Sequence, residues 1–164
     1  MTHSSLVYLL AFGIGLVTGL RSMTGPALVC WAAHLGWLNL EDSRLVFMES
    51  TLATYGFSAA AVGELVADKL PFIPNRTSPG PLFGRVVLGA LSGSALCVAT
   101  DCLLVAGAVL GAVGGVVGAF GGFQARARLV KASGLPDWVI ALGEDLVAIG
   151  GGILLVSMFL VARS

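Results

Sequence analysis

Four carboxylates and two guanidinium groups stand in or beside stretches of this chain that are otherwise fit for lipid: Glu64, Asp68, Glu144, Asp145, Arg21 and Arg85. A charge at the centre of a membrane helix costs about 2.5–3.5 kcal/mol on insertion scales, so such groups face a partner, a cavity or a permeant species. The chemistry open to them is ion pairing, solute or ion binding, and proton exchange. Two carboxylates sharing one site raise one apparent pKa, as a proton-coupled carrier requires. Arg21 opens the run Arg21-Ser22-Met23-Thr24-Gly25-Pro26, where a helix should break and restart. A half-helix restarting at Pro26 would aim its N-terminal N–H groups at an anion or carboxylate. The candidate binding set is therefore Arg21, Ser22, Thr24, Glu64, Asp68, Lys69, Arg85, Glu144 and Asp145, with Glu64 and Glu144 facing one another across a cavity.

A plainer reading uses the same residues. Asp68, Lys69, Arg85 and Glu144 each lie within about two turns of an expected cytoplasmic boundary, where charges are cheap and a pair such as Arg85 with Glu64 only fastens helix ends. Catalysis is not expected. There is no Ser-His-Asp or HExxH spacing, and the two histidines are His3, near the terminus, and His34, between Ala33 and Leu35. Cys30, Cys97 and Cys102 have no CxxC spacing and read as small hydrophobes in helices, so neither a metal nor a cofactor is expected.

The elements that position these groups must be membrane helices. Hydrophobic residues make up 57% of the chain and charged ones 11%, too few to clothe a water-soluble surface. The 164 residues suffice for about five or six crossings at about 20 residues each and leave nothing for a second domain. We expect a single integral membrane domain over residues 1–164, an all-α polytopic bundle whose partner is the lipid bilayer. A formal net charge of zero gives no reason to expect nucleic acid. The N-terminal apolar run lacks a positive leader and a cleavage signal, so it reads as a retained first helix.

Residues 6–38 form the first apolar stretch, broken near Arg21-Pro26. Its second piece is too short to cross alone, so it is one broken crossing or a crossing followed by a re-entrant half-helix. Residues 45–69 predict a helix with Glu64 and Asp68 four apart on one face. Pro71 and Pro74 stop it, and a loop follows. Residues 82–100 predict the next span, with Arg85 one turn inside, and residues 103–123 a glycine-rich one. There Gly107, Gly111 and Gly115, and also Gly114, Gly118 and Gly122, form two ridges of small residues. Such ridges admit close helix packing, which would serve an internal neighbour or a homodimer seam equally well. Residues 124–131 carry Arg126, Arg128 and Lys131 and predict a basic loop, so the 124–136 segment should be cytoplasmic. The last helix should start near Pro136-Asp137 and bend at Gly150-Gly151-Gly152. Counting outward from the basic loop favours five crossings with the N-terminus inside; a re-entrant first segment would put it outside.

Ala61-Val62-Gly63-Glu64 and Ala141-Leu142-Gly143-Glu144 read almost alike eighty positions apart, which suggests an internal duplication. The run Glu64-Leu65-Val66-Ala67-Asp68-Lys69-Leu70-Pro71, followed by Arg76 and Arg85 and by the late Glu144-Asp145 pair, resembles the bacterial membrane proteins grouped as domain of unknown function 4126. The resemblance implies a multi-spanning protein of the bacterial inner membrane and transfers no catalytic or binding role. From the residues themselves we expect a small carrier or channel for a solute or ion. The alternative is a non-transporting scaffold whose charges only fix helix packing.

Overall fold

A computed structural model describes residues 3–67 and 77–163, the side chains of His3 and of residues 161–163 excepted. Asp68 and Lys69 of the candidate set, and Pro71, Pro74 and Arg76, lie outside the described residues. The elements are α1 (His3–Leu20), α2 (Thr24–His34), a 3-10 turn (Val46–Glu49), α3 (Thr51–Ala67), α4 (Pro79–Val98), α5 (Leu104–Ser133) and α6 (Asp137–Arg163). The fold is all-helical, as expected, and α4, α5 and α6 are long and apolar enough to cross a bilayer. Large apolar side chains on α5 and α6 such as Val105, Val117, Leu146 and Leu154 face outward, as befits a membrane-embedded bundle.

Helix α1 is the hub, packed against α4, α5 and α6. Backbone sits on backbone there because glycine leaves room. A Cβ added at Gly107 would lie 2.5 Å from the Gly93 carbonyl oxygen, one at Gly89 2.5 Å from that of Gly111, and one at Gly114 2.9 Å from the Leu16 nitrogen. The Gly107/Gly111/Gly115 ridge thus seats α4, while Gly114 and Gly118 seat α1, and Gly122 is buried beyond them. Of the two uses expected of these ridges, the internal one is realised, and neither ridge is open to a second chain.

The first apolar stretch reverses rather than crossing once. A Cβ at Gly25 would stand 3.2 Å from the Ile14 oxygen and from the Thr18 Cβ, and a Cβ at Gly152 would meet both Leu28 of α2 and Val17 of α1. In one continuous helix, residues 14 and 25 would be about 16 Å apart at 1.5 Å rise per residue. So α2 is a re-entrant half-helix that folds back on α1, and the favoured single broken crossing is corrected. The cause is local: Gly25 and the Thr18 hydroxyl, which donates to the Ile14 carbonyl at 2.8 Å, let the second helix start against the first. Residues 35–50 then cover the start of α1, with Leu38, Leu40 and Met48 in the same core as Val7 and Leu10. α3 returns alongside α2, since Thr54 reaches Cys30 and Glu64 reaches the α1–α2 turn. The N-terminus, residues 35–50 and the α4–α5 link therefore share one end of the bundle. The α1–α2 turn and the α5–α6 link share the other.

Three further expectations change. The helix expected from residue 45 begins at Thr51, because Ser50 is extended and its hydroxyl accepts the Ala53 N–H at 3.2 Å as an N-cap. Residues 124–131 are not a loop but the last turns of α5, whose Gln, Ala, Arg, Leu and Lys favour helix until Gly134 (φ 65°) ends it. Gly150-Gly151-Gly152 does not interrupt α6; Gly150 and Gly151 face open space and only Gly152 packs, on Leu28.

Candidate functional site

The α1–α2 turn leaves the N–H groups that start α2 without helical acceptors, as every helix start does. Met23, at the cap position, supplies no side-chain acceptor. Glu64, arriving on α3, supplies it. The Ser22 N–H donates to Glu64 Oε1 at 2.9 Å, the Ser22 hydroxyl to the same oxygen at 2.5 Å, and the Met23 N–H to Oε2 at 2.9 Å. The carboxylate thus caps the half-helix from another element, with its negative charge at the positive end of the α2 dipole. Arg85 of α4 approaches from the other side, Nη2 to Glu64 Oε1 at 3.4 Å. The Arg85 and Glu64 side chains are 5% and 13% exposed, so the pair is largely out of water.

Arg21, two residues before the cap, turns the other way. Its guanidinium pairs with Asp145 of α6, and the two side chains are 1% and 11% exposed. A third pair lies toward the α5–α6 link. Arg126 donates to both oxygens of Asp137, at 2.8 and 2.5 Å, and stands 3.7 Å from Glu144. Beside it an apolar groove of about 400 Å³ opens between α5 and α6, lined by Leu20, Gly122, Ala125, Leu129, Val139 and Val147 with Arg126 and Glu144 at its polar edge.

One end of the bundle therefore gathers most of the candidate set. Arg21, Ser22, Glu64, Arg85, Glu144 and Asp145 all engage there. Thr24 is buried in the first turn of α2 but does not cap it. The facing pair of Glu64 with Glu144 is not what the fold builds: Glu64 takes Ser22, Met23 and Arg85, Glu144 takes Arg126, and the groove at Glu144 is not lined by Glu64. Nor does the repeated Gly-Glu motif mark a repeat of position. α3 runs toward this end and carries Glu64 late, whereas α6 runs away from it and carries Glu144 early. A parallel repeat would give both helices one direction, and an inverted repeat would put the acids at opposite ends.

Arg126 and the Met23 N–H are the participants that spacing did not disclose. A basic residue close before a short Gly134-Leu135-Pro136 link, with Asp137 just after it, was the available signal for Arg126.

Residues 8–162 match the profile of a family described as a domain of unknown function, DUF4126, so the chain belongs to that family. No curated protein and no solved structure matches it.

Proposed function

We propose that this membrane protein is a small carrier or channel for a solute or ion, with Glu64 as the element that opens and closes its polar site. The observation that carries the reading is the cap: one carboxylate on α3 accepts from Ser22 twice, from the Met23 N–H and from Arg85. These four donors converge on one carboxylate, so whatever displaces Glu64 meets a ready set of donors. A small anion suits such a set. Re-entrant half-helices that aim a terminus into a bundle are the elements around which transporters build their sites. In this reading Arg21–Asp145 holds the turn in place, and the protein is not an enzyme. The end bearing Arg126, Arg128 and Lys131 faces the cytoplasm of a bacterial inner membrane by the positive-inside rule.

Flux into proteoliposomes tests this. Wild type and the Glu64→Gln, Glu144→Gln double variant should differ in uptake of at least one small ion or in proton flux. Equal flux across chloride, nitrate, acetate, potassium and protons sinks the carrier reading.

The second reading is the scaffold, favoured by the same pairing: Arg21, Arg85 and Arg126 each sit against a carboxylate within the fold. It expects those substitutions to lower stability in detergent while every flux stays at the lipid background.

A further inference from the structure

At the end of the bundle opposite the charged turn, α4 stops in a left-handed cap. The Cys102 N–H donates to the Cys97 carbonyl at 2.8 Å and the Asp101 N–H to the Val98 carbonyl at 3.2 Å. With Asp101 at φ 55°, this is the six-to-one and five-to-two bond pattern of a Schellman motif. In that motif, whose cap residue is Thr100, Cys97 is the third residue before the cap and Cys102 the second after it. A contact between the side chains at these two positions frequently accompanies the motif. Both thiols pack in one apolar cluster.

We propose that Cys97 and Cys102 form a redox-active dithiol that closes to a disulfide across the α4–α5 link. The geometry supports it. The bonds flanking a 2.8 Å hydrogen bond hold the two Cα atoms within about 7 Å even if all lay in line, and their real angles bring them into the range of about 4.4–6.8 Å that a disulfide needs. Access is graded as an exchange reaction requires: Cys97 is fully buried and Cys102 half-buried. A cavity of about 500 Å³, lined by Asn39, Asp42, Ser43, Thr100 and Asp101, opens beside the link. The oxidant is a disulfide of a small thiol or of a thiol oxidoreductase. The Cys102 thiolate attacks one of its sulfurs and releases the first thiol. The Cys97 thiolate then attacks the Cys102 sulfur and releases the second, so two protons and two electrons leave the protein as two reduced thiols. Such an oxidant acts on the side away from the cytoplasm, and so in the cell the inference rests on the proposed orientation. In detergent it does not.

The test is thiol counting on the purified full-length protein in detergent. After oxidised glutathione, then denaturation and alkylation, intact mass should show one blocked thiol, that of Cys30, against three in the reduced protein. The loss is reversed by dithiothreitol. Cys97→Ser should instead trap glutathione on Cys102, and Cys102→Ser should take up none at Cys97. Three free thiols after oxidation, or glutathione left on Cys102 of the wild type, overturns the proposal, and retained helical circular dichroism in both serine variants guards against misfolding. If the isolated protein closes the bridge but protein taken from cells never carries it, the orientation is wrong and the dithiol stands.

Discussion

Replacing Glu64 should separate its role as a helix cap from its role as an ion-pair partner, because alanine removes both and glutamine removes one. Glu64→Ala leaves the Ser22 and Met23 donors at the start of α2 without their acceptor, and loss of an N-cap costs about 1 kcal/mol. It also takes the carboxylate from Arg85, whose side chain is 5% exposed. Breaking a buried pair costs about 3–5 kcal/mol, but a separation of 3.4 Å is long for a charge-assisted bond, so about 2–3 kcal/mol is the share expected here. The alanine variant should thus lose about 3–4 kcal/mol. Glu64→Gln keeps a carbonyl oxygen for Ser22 but loses the charge and places an N–H₂ near a donor, a loss of about 1–2 kcal/mol given that charged hydrogen bonds exceed neutral ones by roughly twofold. Reversible unfolding in mixed micelles by dodecyl sulfate titration measures both, and a cycle with Arg85→Gln should return a coupling of about 0.5–3 kcal/mol. An alanine variant within about 0.5 kcal/mol of wild type, the range of neutral surface changes, refutes the capping role. A glutamine variant as unstable as the alanine one shows instead that charge alone matters.

Arg21→Gln should cost about 3–5 kcal/mol in the same titration by leaving Asp145 buried without its cation, and Asp145→Asn added to it should recover part of the loss. Gly111→Ala forces a Cβ against the α4 backbone and should lower stability by about 1–3 kcal/mol, whereas Gly121→Ala, which meets open space on the same helix, should be neutral or gain up to about 1 kcal/mol. In a cysteine-free background, single cysteines at Ser5 and Ser43 should react with an impermeant maleimide from one side of oriented vesicles and one at Arg128 from the other. Labelling of Ser5 from the Arg128 side would restore a single broken crossing.

The membrane class, the break near Arg21 and the start of α6 are legible in the chain because each rests on a local cause: apolar length, a Gly-Pro restart, an acid at a helix start; α4 instead starts at Pro79, three residues before the expected start, because a proline that suits a loop suits a first helical turn as well. Glu64 with Arg85 is legible for the same reason, since two opposite charges near one boundary have few other partners. The reversal of α2 is not. Nothing in a short apolar segment fixes its direction; that depends on Gly25 resting against Thr18, a contact between residues whose pairing no periodicity announces. The extent of α5 is missed through a conflict of signals. Arg126, Arg128 and Lys131 mark a cytoplasmic boundary by their charge, while their intrinsic preference continues the helix, and the helix wins because a bilayer boundary does not require the backbone to unwind.

That outcome also decides what the two Gly-Glu motifs mean. Once α5 runs on to Ser133, Arg126 is held rigidly beside the first turns of α6 and within 3.7 Å of Glu144. Once α2 folds back, its N–H groups and Ser22 stand at the end of α3 and take Glu64. The two carboxylates thus take separate donors, Ser22, Met23 and Arg85 for Glu64 and Arg126 for Glu144. The distinct environments make a sharper demand on any transport cycle: Glu64 is the acid whose release exposes donors, and Glu144, bound to Arg126 at the edge of an apolar groove, exposes none on a half-helix. Flux that responds to Glu64→Gln alone and ignores Glu144→Gln fits this asymmetry, and the reverse dependence would move the polar site to the α5–α6 groove.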